Sequence, residues 1–157
     1  MEFASLIAEF GARYGMADLT PDENGAVGFV VDGRTVAIRH WPEAECVVAS
    51  IEIAAPGAGA EAVNRLLMRA NQTLFVLDGM TIVFDSSSER YLLLSRFDAT
   101  ALDFIGFDAK IAQLLDRADQ WSAFLEKFRA LAEESAAKGV DFPPPPDISS
   151  PIDFMRV

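Results

Sequence analysis

At 157 residues the chain has the length of one domain with room for a substantial core. Hydrophobic side chains make up 51% of it, and 13 basic against 24 acidic residues give a formal net charge of -11. That balance disfavours a nucleic-acid backbone or an anionic membrane surface, which are bound mainly through lysine and arginine; it suits a basic partner, or solubility alone. The one cysteine, Cys46, cannot close an internal disulfide and reads as a small buried hydrophobe in a reducing compartment. The N-terminus carries no signal-peptide pattern, and no apolar run approaches the roughly 18 residues of a membrane span. The expectation is a soluble, cytoplasmic protein.

Phe3, Leu6, Ile7, Phe10 and Tyr14 recur at helical spacing, and Gly15 supplies a stop. A loop with Pro21, Asp22, Asn24 and Gly25 leads into two apolar runs, Val27 to Val31 and Arg34 to His40. Between them stands Asp32-Gly33, whose residues tolerate the positive φ of a two-residue hairpin turn. Cys46 to Ile53 predicts a third strand, with Val47, Ala49, Ile51 and Ile53 on its more apolar face, and Pro56 to Ala60 ends it. Val63, Leu66, Leu67, Ala70 and Leu74 then return at helical spacing.

Met80 to Phe97 predicts a second hairpin, two β-favouring runs about a polar turn from Asp85 to Arg90. Ile82 and Phe84 share one face of the first run and Val83 the other, while Tyr91, Leu93 and Phe97 oppose Leu92 and Leu94 in the second, so both faces of the hairpin are partly apolar. Helices can cover one side, which leaves the other for a second subunit or a partner segment. A third helical stripe, Ile111, Leu114, Leu115, Ala118, Trp121, Leu125 and Phe128, runs to about Ala137. The fold class is therefore α+β: helix, three strands, helix, two strands, helix, with the helices packed on an antiparallel, twisted sheet. Residues 1–138 form this domain. Residues 139–157, with consecutive prolines from Pro143 to Pro146, are expected to be an extended, flexible tail that folding does not need.

Few residues invite chemistry. Gly57-Ala58-Gly59-Ala60-Glu61-Ala62 follows a strand, opens a helix, and satisfies the glycine pattern of a dinucleotide site, with Asp78 about 20 residues on. Glu61, however, would bring a carboxylate to the helix terminus that should attract a pyrophosphate, and the next elements form a hairpin. His40 and Cys46 stand on neighbouring strands with Trp41-Pro42 between them and no third group to orient them. Zinc would need more such ligands, and Asp22-Glu23-Asn24-Gly25 is too short for a calcium loop. Asp108, Asp116, Asp119 and Glu126 mostly fall away from the apolar stripe and read as a solvated face. No catalytic residue, metal site or cofactor is expected.

Three stretches, taken together, resemble a known family. Leu6-Ile7-Ala8-Glu9-Phe10-Gly11 leads through Leu19, Asp22 and Gly25 into the Asp32-Gly33 turn. Leu66-Leu67-Met68-Arg69-Ala70-Asn71 precedes the last two strands, and Leu114-Leu115-Asp116-Arg117-Ala118-Asp119-Gln120-Trp121 lies in the closing helix. In order and spacing, over about residues 3–135, the chain resembles the small acidic chaperones of bacterial type III secretion, the single-effector class called the Tir-chaperone family. The resemblance implies a helix–sheet sandwich that dimerises with itself, largely through its second helix and adjacent strands. It implies a function without catalysis: holding the N-terminal segment of a secreted effector soluble and non-globular until an export ATPase takes it.

On that footing Val63, Leu67, Ala70, Leu74 and Ile82 are the expected dimer contacts. Phe3, Leu6, Phe29, Val31, Val36 and Ile38 are the expected effector contacts. Strand alternation puts Phe29 and Val31 on one face with Val36 and Ile38 matching across the turn, but does not choose which sheet face meets the helices. The proline-rich tail has no counterpart in the family pattern. Two other readings stand beside this one: a nucleotide-dependent enzyme built on Gly57 to Ala62, and a regulatory α+β binding domain without an effector.

Overall fold

The structure, a computed structural model, describes residues 2–16, 18–57 and 59–139. The expected tail, past Gly139, lies outside the described residues. The elements follow the expected order: α1 (Phe3–Arg13), β1 (Ala26–Val31), β2 (Arg34–Trp41), β3 (Cys46–Ala54), α2 (Ala60–Asp78), β4 (Met80–Asp85), β5 (Arg90–Asp98) and α3 (Phe104–Ala137). A single 3-10 turn, Pro42–Ala44, joins β2 to β3. The strands form one antiparallel sheet in the order β1-β2-β3-β5-β4.

Local chemistry sets the register. Asp32 and Gly33 adopt φ of 49° and 78°, the paired left-handed conformations of the tightest hairpin turn. The turn places Val31 opposite Arg34, which brings Phe29 opposite Val36 and Val27 opposite Ile38. Those side chains share a face with Val47, Ala49 and Ile51 of β3, Leu93 of β5 and Ile82 of β4. All three helices lie on that face, and it is the core.

Phe107, fully buried, sits at the centre of the packing. Its ring meets Phe10 of α1 edge-on at 5.3 Å and Phe97 of β5 at 6.4 Å, while Phe10 reaches Phe29 of β1 at 5.6 Å. Offset and edge-on contacts of this kind add to the burial of large apolar rings. The apolar stripe predicts α3 from Ile111, yet the helix begins a full two turns earlier, at Phe104. The cause is a cap: the Asp103 carboxylate accepts from the Gly106 amide at 2.7 Å and satisfies one of the free N–H groups of the first turn.

Polar links then fix α3 across the other layers. Ser122 donates to the Ile53 carbonyl at 2.7 Å, Tyr14 donates to Asp108 at 2.6 Å, and Arg34 pairs with Asp119 at 2.7 Å. Arg117 reaches Asp78 at the end of α2 at 3.1 Å, with both side chains largely shielded. Among the described residues, no helix lies on the opposite sheet face. Val30, Trp41 and Val83 are exposed there, and Val48, Leu92 and Leu94 are half-buried.

Candidate partner-binding surfaces

The two edges of the sheet are treated differently. On the β4 edge, the side chain of Asn71 in α2 donates to the Ile82 carbonyl at 2.8 Å and accepts from the Ile82 amide at 2.7 Å. One amide side chain thus imitates the next strand at Ile82, in a place where an open edge invites another chain to pair; the outward groups of Phe84, two residues on, are not covered by it. On the β1 edge there is no such plug among the described residues. Ladder alternation turns the N–H and C=O groups of Ala26, Gly28 and Val30 away from β2. Those of Ala26 are taken by Asp22, whose side chain accepts from the Ala26 amide at 2.9 Å and whose amide donates to the Ala26 carbonyl at 2.8 Å. Gly28 and Val30 are left facing outward, with room for an added strand.

A cleft of about 820 Å³ opens beside that edge, between the N-terminus of α1, the 21–25 loop and the end of β2. Phe3, Leu6, Pro21, Val47 and Leu102 give it apolar walls. The Phe3 ring stacks on His40 at 5.1 Å, and the Arg39 guanidinium lies 4.2 Å from the centre of the Trp41 ring. Glu2, Glu23 and Glu43 stand at its rim.

A second apolar surface lies on the outer flank of α2. Met68 and Phe75, three residues before and four after Asn71, share its side of the helix and are 77% and 70% exposed. Phe84 of β4, half-exposed and 5.4 Å from the Tyr91 ring, continues the surface beside them. Tyr91 itself donates to Asn64 of α2 at 2.7 Å, and its burial raises the phenol above its ordinary pKa.

With this geometry in view, similarity to known proteins is decisive. Residues 5–122 match the Tir chaperone protein (CesT) family. The chain belongs to that family. It is therefore a chaperone of the type III secretion class and not an enzyme. Among solved structures, it resembles a chain of the ExsC–ExsE complex with a TM-score of 0.72 and 26% identity, over 78% of this chain and 96% of that one. The HopA1–SchA chaperone–effector complex contains a chain alike in fold, with a TM-score of 0.66 and 15% identity over 76% and 91% of the two chains. The Yersinia pestis type III secretion chaperone SycH, solved with a fragment of YscM2, gives 0.60 and 22% over 77% and 100%. No curated protein gives a significant match to the sequence.

The CesT-type fold relocates most of the expected contact residues. Val63, Leu67, Ala70, Leu74 and Ile82, expected to cross a dimer interface, are all 7% exposed or less and form the seam between α2 and the sheet. The strongest apolar stripe of an amphipathic helix serves its own core first, and the weaker stripe through Met68 and Phe75 is the one left exposed. Likewise Leu6 of α1 and Phe29, Val36 and Ile38 of the sheet are buried in the core, and Val31 is half-buried against it. Phe3 and Leu6 do line the cleft. The backbone edge of β1, Trp41 and Asn71 carry no sequence signal of contact. Met68 and Phe75 do, as an apolar pair seven residues apart on the far side of the α2 stripe.

The glycine pattern at 57–62 also finds its explanation. A side chain on Gly57 would meet the Arg129 side chain at an ordinary contact distance of 3.5 Å, whereas one on Gly59, at φ 70°, would stand 2.9 Å from the Ala132 methyl. Gly59 thus lets the strand-to-helix turn lie close on α3. Arg129 Nε and Nη2 are buried beside that turn, with no hydrogen-bond acceptor among the described residues. That packing and the family together overturn the nucleotide-enzyme reading. Strand alternation sends His40 and Cys46 to opposite faces of the sheet. Among the described residues no three His, Cys, Asp or Glu side chains gather as a metal site, and no helix is long and apolar enough to cross a membrane.

Proposed function

We propose that this chaperone holds an extended N-terminal segment of a secreted type III effector along the open edge of β1, with side chains of that segment in the neighbouring cleft. The observation that carries the reading is the asymmetry of the sheet: one edge is plugged by Asn71, and the other presents Gly28 and Val30 beside an apolar cleft. Main-chain hydrogen bonds from strand addition give affinity without demanding one sequence, and a cleft adds selectivity. The complexes in which similar chains were solved, ExsC with ExsE and SchA with HopA1, support it.

The working unit is a homodimer joined through Met68, Phe75 and Phe84 on the α2 and β4 side, which leaves both β1 edges free. It acts in the cytoplasm, keeps its effector soluble and export-competent, and hands it to an export ATPase.

Replacement of Val30 by proline tests the effector site. Proline removes an N–H that points away from β2, so the β1–β2 ladder survives while the added strand loses a partner. Binding of the N-terminal segment of the secreted protein encoded beside this chaperone should fall at least tenfold, with the melting temperature held within a few degrees. Wild-type affinity in V30P would refute the edge. Light scattering tests the dimer. The F75D and F84D variants should be folded monomers, whereas L67D should fail to fold because it buries an unpaired charge. A monomeric wild type would refute the assembly.

A further inference from the structure

We infer that the cleft beside β1 receives a lysine or arginine side chain of the bound segment, an assignment that rests on the partner-binding reading above. Four carboxylates line the cleft: Glu2, Asp22, Glu23 and Glu43. Asp22 is engaged by its own loop, through the amides of Asn24 and Ala26 at 2.8 and 2.9 Å. Glu2, Glu23 and Glu43 are exposed and take part in no side-chain hydrogen bond or ion pair among the described residues. The one lysine or arginine in the lining, Arg39, lies over Trp41. The cleft is thus apolar in its walls and negative at its rim. A lysine or arginine matches both, with its aliphatic stem against Phe3 and Pro21 and its charged head among the glutamates. An aliphatic side chain would satisfy only the walls, and an acidic one would meet like charge.

Ladder geometry says where on the segment the basic residue stands. A strand paired to Gly28 and Val30 cannot continue past Ala26, because Asp22 already holds that residue's outward groups. The incoming chain must leave the sheet there, directly over the cleft. The basic side chain therefore follows the paired stretch at its Ala26 end.

The test uses the full-length protein and two fluorescein-labelled peptides, each an alternating Val/Ser strand flanked by glycine and one further residue. That residue is arginine in one peptide and its neutral isostere citrulline in the other. By anisotropy at about 50 mM salt, the arginine peptide should bind about fivefold more tightly, the scale of exposed ion pairs, and the preference should shrink at about 500 mM salt. The E2Q/E23Q/E43Q variant, altered in three exposed side chains, should bind both peptides equally, at the citrulline affinity. Equal binding of the two peptides to the wild type, or an arginine preference that persists in E2Q/E23Q/E43Q, overturns the inference and leaves the strand-addition reading standing. Binding of neither peptide overturns both.

Discussion

Replacing Asn71 by alanine should loosen one specific edge of the sheet. The side chain makes two hydrogen bonds, 2.8 Å to the carbonyl and 2.7 Å from the amide of Ile82, at a half-buried position between α2 and β4. Each is worth about 1 kcal/mol net, and a shielded group left without a partner costs about 1–3 kcal/mol. Water reaches this site in part, so the loss should lie near the lower end, about 2 kcal/mol for the pair. In a domain of this size that lowers the melting temperature by roughly 4–8 °C. Asn71→Asp is the informative companion. It keeps an acceptor for the Ile82 amide but sets a carboxylate against the carbonyl, so it should destabilise at least as much while the amide stays protected. Thermal melts beside amide hydrogen exchange at Ile82 separate the two variants. A melting point within about one degree of wild type for N71A, with Ile82 still slow to exchange, would refute the plug.

Other consequences can be read out independently. Phe107→Ala removes the ring between Phe10 and Phe97 and should cost about 3–5 kcal/mol in urea denaturation, with Phe107→Leu costing clearly less. Asp78→Asn should cost about 1–3 kcal/mol by weakening the shielded link to Arg117, and a double-mutant cycle with Arg117→Met should show coupling between the two sites; strict additivity would refute the pairing. In the β4–β5 turn, hydrogen bonds from Ser88 and then Ser87 hold the Asp85 carboxyl at about 2, down from its ordinary value. Because the folded value is the lower one, this contribution to stability is present above roughly pH 4 and is lost as the pH falls toward 2. An NMR titration of Asp85 should show the low midpoint, and Ser88→Ala should raise it.

Much of this architecture is legible in the sequence, because apolar periodicity and turn chemistry agree along most of it. The Asp32-Gly33 turn alone fixes the β1–β2 register, and the stripes at 63–74 and 111–128 mark two of the helices. What resisted reading is which apolar surface faces inward. Leu93 and Leu94 look alike in sequence, yet one is fully buried and the other half-open, and only the position of the three helices decides between them. The same ambiguity placed Val36 and Ile38 among the partner contacts when their role is to fill the core. The start of α3 turned on a single cap, Asp103, upstream of any periodicity. The features on which the proposed binding site rests are backbone groups at the β1 edge and, by contrast, one polar side chain at the β4 edge. Side-chain hydropathy says nothing about either.

The unequal edges also set a counting rule. A sheet with two open edges can grow in both directions, so one client could bridge two chaperones and two chaperones could chain without limit. Here Asn71 occupies the outward groups of Ile82 on one edge. With the client on β1 as proposed above, loading should saturate at one segment per chain, and excess client would find no second strand site from which a mixed polymer could start. For a protein whose surroundings are crowded with unfolded cargo, that ceiling separates a soluble carrier from a nucleus of aggregation.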